Sequence, residues 1–130
     1  NDGRAIPSFL TQLINNKPFT VFGDGKQTRS FCYIDDTILA IYKLLISDYD
    51  FPVNIGNPNE ISLLDLINNI KKLKNHSGKI IFSELPKNDP LKRKPDITLA
   101  KKILNWNPKI NLEQGLKITY SYYKNNIFSQ

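Results

Sequence analysis

The sequence predicts an α/β fold in which short strands alternate with helices, and three observations carry that expectation. Apolar residues recur at three- and four-residue spacing in three separate stretches, the mark of helices with one buried face. Between them lie β-prone runs of four or five residues bounded by glycine or proline. At 130 residues, 40% hydrophobic and 23% charged, the chain can bury a core as one domain over residues 1–130.

Ile6, Phe9, Leu10, Leu13 and Ile14 form the first stripe, and Lys17-Pro18 closes it, so a helix is expected over about residues 5–16. Phe19 to Phe22 reads as a strand stopped by Gly23-Asp24-Gly25, and Ser30 to Ile34 as a second strand beyond a polar connection. Asp35 and Asp36 supply a cap for a helix with Ile38, Leu39, Tyr42, Leu45 and Ile46 as its apolar face, ending near Ser47. Pro52 to Gly56 is a brief strand, and Asn57-Pro58-Asn59 a turn. Ser62 with Asp65 makes a weak capping box for a helix over about 63–74, carrying Leu63, Leu66, Ile67, Ile70 and Leu73. Lys79 to Phe82 is the last strand. Residues 85–95, with prolines at 86, 90 and 95, form a loop. Asp96 or Thr98 caps a short helix through Leu104, which Trp106-Asn107-Pro108 breaks. Asn111 with Gln114 opens a final helix bearing Leu116, Ile118, Tyr120, Tyr122 and Tyr123.

Four short strands are few for a free-standing doubly wound sheet, and no Gly-x-Gly-x-x-Gly or P-loop opens any helix. The chain also starts Asn1-Asp2-Gly3 and contains no methionine. It therefore reads as part of a longer protein, sharing its chemistry with residues elsewhere. No apolar run approaches the roughly 18 residues that span a bilayer, so no membrane partner is expected. One cysteine, Cys32, and one histidine, His76, exclude an internal disulfide and a zinc or iron–sulfur cage, and no metal site is expected.

The net charge of +6 comes from clustered cations at Lys71, Lys72 and Lys74, at Lys87, Lys92, Arg93 and Lys94, and at Lys101 and Lys102. A solvated lysine-rich surface explains these better than nucleic acid, because no strand carries a basic and aromatic stripe. Arg29 follows the glycine turn and precedes a strand, a placement suited equally to a phosphate ligand and to a surface pair with Asp35 or Asp36. Arg93 lies in a proline-stiffened loop, where its lysine neighbours favour a plain basic surface. His76 reads as a solvent-exposed bystander, and Cys32, between Phe31 and Tyr33, as a core residue.

Five blocks, in order and over nearly the whole chain, carry a family resemblance. They are Asn1-Asp2-Gly3-Arg4, Phe19 through Asp36, Pro52 through Glu60, Asp89 through Ile97, and Leu104 through Lys109. Together they resemble the C-terminal part of the UDP-glucuronate decarboxylases (UDP-xylose synthases), extended short-chain dehydrogenases/reductases. The resemblance implies the small C-terminal substrate-binding lobe of such an enzyme, inactive without the dinucleotide-binding domain. It implies UDP-glucuronate as substrate, UDP-xylose and carbon dioxide as products, and NAD held mainly by that other domain. The implied chemistry oxidises the sugar C4 hydroxyl, loses carbon dioxide from the resulting β-keto acid, and reduces the ketone again.

By position, the resemblance sets the Thr20, Val21 and Phe22 backbone beside the uracil and Arg29 at the phosphate or ribose. Arg4 falls on the cofactor side, and Arg93 becomes the catalytic residue, orienting substrate or water because a guanidinium does not give up its proton. The parent is expected to be a cytoplasmic homodimer, with a secretory-pathway lumen the other compartment considered. Other readings are another nucleotide-sugar epimerase or dehydratase and, in a different class, a stand-alone basic RNA-binding module. The Lys92-Arg93-Lys94-Pro95-Asp96 block favours the decarboxylase.

Overall fold

The computed structural model describes residues 4–85, 90 and 92–128. Asn1-Asp2-Gly3 and, in the expected loop, Pro86, Lys87, Asp89 and Leu91 lie outside the described residues. The chain runs α1 (Ala5–Ile14), β1 (Phe19–Phe22), β2 (Thr28–Ser30), α2 (Ile34–Leu45), β3 (Glu60–Ser62) and α3 (Leu63–Lys72). It continues with β4 (Ile80–Ser83), α4 (Thr98–Leu104), α5 (Leu112–Tyr122) and a π-helical turn (Tyr123–Ile127). The predicted α/β alternation is present.

The strands form two separate pairs. β1 and β4 run parallel with Phe19 opposite Ile80 and Phe22 opposite Ser83. β2 and β3 run antiparallel with Thr28 opposite Ser62 and Ser30 opposite Glu60. Around the first pair, Phe9, Leu10 and Leu13 of α1 meet Phe19 and Val21 of β1, Leu66, Ile67 and Ile70 of α3, and Leu116 of α5. A smaller cluster joins Ala40 of α2 to Ile97, Ala100, Leu104 and Trp106. The i, i+3, i+4 stripes on α1 and α3 therefore face one core, which fixes β1 between them.

The glycine turn after β1 is a tight docking point. Gly23 and Gly25 both have positive φ, 72° and 75°. A Cβ on Gly25 would lie 2.7 Å from Leu64 Cγ, so only glycine lets the turn lie against the start of α3. Its backbone is tied there as well, Leu64 N–H donating to the Gly25 carbonyl and Leu63 N–H to that of Gln27, each at 3.2 Å.

Several expectations need correction. The second strand is Thr28–Ser30, not residues 30–34, because Phe31 packs on the larger cluster, Cys32 on the smaller, and α2 begins at Ile34. Residues 52–56 form no strand: Val53 and Ile55 pack on the smaller cluster, and Gly56 lies so close under Pro95 that a Cβ would sit 2.8 Å from its Cγ. The third strand is instead Glu60–Ser62, beyond the expected turn. On α2 the expected core face is exposed, Leu45 at 79% and Ile46 at 65%, and the residues that pack on the smaller cluster are Ala40 and Leu44.

Asp35 and Asp36 do not cap α2, whose N-cap is Tyr33 without a side-chain bond. Asp36 is instead a buried tie across the chain. Its Oδ2 accepts the amides of Lys109 at 3.0 Å and Ile110 at 2.8 Å, and its carbonyl accepts Trp106 Nε1–H at 2.9 Å. Substituting Asp36→Ala orphans two amides and is expected to cost about 1.5–3 kcal/mol of stability. Asp36→Asn, which keeps one acceptor oxygen, should cost roughly half of that. Urea midpoints for the two variants check this ordering.

Candidate functional site

The site starts from the two edges of β1. Phe19 N–H donates to the Lys79 carbonyl and Gly23 N–H to the Ser83 carbonyl, both at 2.8 Å. Backbone groups alternate in direction along a strand, so those of Phe19, Val21 and Gly23 face β4 and those of Thr20 and Phe22 face the other way. Two glutamines meet this second edge. Thr20 N–H donates to Gln12 Oε1 at 3.2 Å, and Gln27 Nε2–H donates to the Phe22 carbonyl at 2.5 Å. Between the two caps, the Thr20 carbonyl and the Phe22 N–H have no hydrogen-bond partner among the described residues. An acceptor followed by a donor is left on an open strand edge.

That edge faces a cleft of about 530 Å³, within the usual size of small-molecule sites, lined by Arg4, Thr20, Phe22, Gln27, Arg29 and Arg93 among others. No acidic side chain lines it among the described residues. Three guanidinium-bearing residues around a cleft whose described lining holds no carboxylate favour an anionic ligand. The cleft thus combines phosphate-type ligands with a backbone pair able to read a planar ring edge.

Pro90 and Arg93 are held on β2 by named contacts. Arg29 Nη1 donates to the Thr28 and Pro90 carbonyls, both at 2.8 Å, and Ser30 Oγ–H donates to the Arg93 carbonyl at 3.3 Å. Glu60 takes the Thr28 hydroxyl at 2.6 Å and lies 3.9 Å from Lys94 Nζ. Arg93 is therefore delivered to the cleft from an anchored segment, while its side chain stays exposed. Lys94 lines a different groove, beside Pro58 and Thr98. Asp96 accepts Thr98 N–H at 2.9 Å from a place just ahead of the Ile97 N-cap, and bonds from Thr98 hold its carboxyl below the usual carboxylate range.

Arg4, Thr20, Phe22, Arg29 and Arg93 converge as a group. Val21 does not: its side chain is fully buried in the core and its backbone faces β4. His76 is a correction, since it is half-buried and edge-on to Phe19 at 5.9 Å, with Nε2 enclosed and without a hydrogen-bond partner among the described residues. Cys32 is half-buried outside any strand, and burial pushes its thiol up, away from the thiolate. No group of three His, Cys, Asp or Glu side chains among the described residues could hold a metal ion, and no helix there is long and apolar enough to cross a membrane. Gln12, Gln27 and Ser30 were not singled out from sequence. Gln27, 4% exposed, is the one with a discernible signal, as a polar residue just after a glycine turn that closes on a helix.

Residues 1–56 match the NAD dependent epimerase/dehydratase family. UDP-glucuronic acid decarboxylase 1 of Arabidopsis thaliana is 43% identical over all 130 residues, and its Xenopus tropicalis namesake 39%. The chain spans about 30% of the length of these relatives. The solved UDP-glucuronic acid 4-epimerase of Bacillus cereus, in complex with UDP-glucuronic acid and NAD, superposes on 94% of the chain with a TM-score of 0.88 at 33% identity, the match covering 40% of that protein. The UDP-glucose 4-epimerase of Thermotoga maritima, solved with UDP-glucose, superposes on 95% with a TM-score of 0.91 at 27% identity, again over 40% of its length. The chain is similar to the C-terminal portion of NAD-dependent epimerase/dehydratase proteins. Of the blocks quoted from the sequence, Phe19 through Asp36 builds β1, the glycine turn and β2, and Arg93 lines the cleft beside them.

Proposed function

We propose that the chain is the nucleotide-sugar-binding lobe of an NAD-dependent UDP-glucuronate decarboxylase, which turns UDP-glucuronate into UDP-xylose and carbon dioxide. The observation that carries this reading is the open acceptor–donor gap on β1 facing a cleft that, among the described residues, is lined by three arginines and no acidic side chain. A uracil imide matches the gap, its N3–H donating to the Thr20 carbonyl and its O4 accepting from the Phe22 N–H. Arg29 binds the diphosphate, and Arg93 meets the substrate carboxylate or the water that protonates C5 as carbon dioxide leaves. The names of the relatives, decarboxylases at 38–43% identity, support the choice of reaction.

NAD supplies reversible hydride transfer at C4 when bound. The described residues contain no glycine-rich strand-to-helix turn that would cradle a dinucleotide, and Arg4 is the contact this lobe offers from the edge of the cleft. A longer functional chain also accounts for α2, whose exposed Ile38, Ile41, Tyr42, Leu45 and Ile46 form a surface that a second lobe would cover.

Titration of the 130-residue chain with UDP and with UDP methylated at N3 tests the base contact. Methylation removes the donor and is expected to weaken binding about ten-fold or more, the loss of a buried hydrogen bond with its acceptor left unpaired. Equal affinity for the two ligands, or no UDP binding, overturns the reading. One rival stays in the same class, because the 4-epimerase of Bacillus cereus is similar at 33% identity. Full-length protein given UDP-glucuronate separates the two, since only a decarboxylase releases carbon dioxide.

A further inference from the structure

We infer that Gln12 and Gln27 set the base specificity of the cleft, by hiding the two backbone groups through which a cytosine would be read. The inference rests on the nucleotide reading above and adds what chooses among pyrimidines. Along the open edge of β1 the backbone groups come in the order Thr20 N–H, Thr20 carbonyl, Phe22 N–H, Phe22 carbonyl. Gln12 Oε1 occupies the first and Gln27 Nε2 the last. The orientation of the Gln27 amide is fixed by chemistry, since a carbonyl can only accept.

What remains is one acceptor followed by one donor. A uracil lying with C4 toward Phe22 presents N3–H to the acceptor and O4 to the donor. A cytosine in the same pose presents a lone pair at N3 and an amino group at C4, which places like against like at both positions. Sliding along the strand would rescue it. Moved toward Phe22, cytosine N3 would accept from the Phe22 N–H and its amino group would donate to the Phe22 carbonyl. Moved the other way, N3 would accept from the Thr20 N–H and the amino group would donate to the Thr20 carbonyl. With the ribose and diphosphate held where the uracil pose puts them, the base cannot turn over, and each slide needs one of the groups the glutamines already hold. Both caps therefore act against the wrong base, and neither needs to touch the right one.

Their surroundings suit such a role. Gln27 is 4% exposed and its backbone carbonyl accepts Leu63 N–H at 3.2 Å, so the side chain starts from a position locked to α3. Gln12 projects from α1, whose Leu10 and Leu13 are fully buried in the core. The two caps thus come from independent elements, and losing one leaves the other in place.

The test is the ratio of UDP to CDP affinity, measured by calorimetric titration of the 130-residue chain. The unsubstituted chain should favour UDP by about ten-fold or more, the effect of one mismatched buried hydrogen bond. Gln27→Leu and Gln12→Leu should each bring the ratio down several-fold by strengthening CDP binding, and the double variant should bring it close to one. A purely structural role would weaken both ligands together and leave the ratio where it was. If Gln27→Leu fails to fold, as far-ultraviolet dichroism would show, the half-buried Gln12 still gives the answer. A ratio near one before substitution, or one that neither replacement changes, overturns the inference while the N3-methyl comparison still stands. Absence of UDP binding removes both readings together.

Discussion

Arg93→Ala in the full-length polypeptide is expected to lower kcat about a hundred-fold or more while changing UDP affinity only a few-fold. The expectation rests on how the side chain is presented. Ser30 holds the Arg93 carbonyl and Arg29 holds that of Pro90, so the residue enters the cleft from a segment pinned to β2 at two points. A charge held in place ahead of the reaction helps most where new charge develops, at the carboxylate leaving as carbon dioxide and at C5 as it takes a proton. A hundred-fold loss corresponds to about 2.7 kcal/mol of transition-state stabilisation, a reasonable size for one well-placed guanidinium. Arg93→Lys should recover only part of it, because a point charge does not reproduce the planar fork. Lys92→Ala and Lys94→Ala serve as controls. Lys94 lines another groove and lies near Glu60, so its loss removes positive charge without emptying the site. Steady-state kinetics with a UDP competition assay check the pattern, and equal losses in all three alanine variants would reduce Arg93 to one member of a basic surface.

The helices were legible because each is long enough for its stripe to repeat. Leu63, Leu66, Ile67 and Ile70 name the buried face of α3, and all four are buried. The capping box at Asn111 and Gln114 was equally legible, since it depends only on local spacing, and both reciprocal bonds are present. The three-residue strands β2 and β3 are too short for alternation to mark, and each is defined by its partner some 32 residues away, as in Arg29 opposite Ile61. The face of α2 misled for a different reason. Periodicity reports that a face is apolar, and Ile38 and Tyr42 do share one, but it cannot say whether the covering element lies within the same 130 residues. Asp36 looked like a cap because of where it stands in sequence, while its acceptors' partners at Lys109 and Ile110 lie more than 70 residues on. The site divided along the same line. Arg29 and Arg93 both line the cleft, but residue type and position left Arg29 open between ligand and surface pair and favoured a basic surface for Arg93, so their expected roles came from the resemblance. The glutamine caps bond to backbone atoms of β1, and a backbone partner leaves no trace in residue type.

Arg29→Ala is expected to raise KM by about ten- to a hundred-fold, the loss of a charge-assisted hydrogen bond of about 1.5–3 kcal/mol to a group bound alike in ground and transition states. Position in sequence alone would stop there, with kcat unchanged. The contacts of the guanidinium add a second effect, because Nη1 also holds the Pro90 carbonyl and so anchors the segment that ends in Arg93. Removing it leaves Ser30 as the remaining described hydrogen bond between β2 and that segment, and at 3.3 Å this is the longer of the two. A modest fall in kcat, several-fold, should therefore accompany the rise in KM. A double-mutant cycle separates the two parts. In an Arg93→Ala background there is no positioned guanidinium left to misplace, so Arg29→Ala should still raise KM by the same factor and no longer lower kcat. Arg29→Lys should restore much of the binding, since a single charge still faces the phosphate, but little of the lost kcat, since one ammonium does not reproduce the planar fork that bonds the Pro90 carbonyl. If Arg29→Ala lowers kcat equally with and without Arg93, the tether to Pro90 has no part in catalysis and Arg29 acts on the reacting sugar by itself.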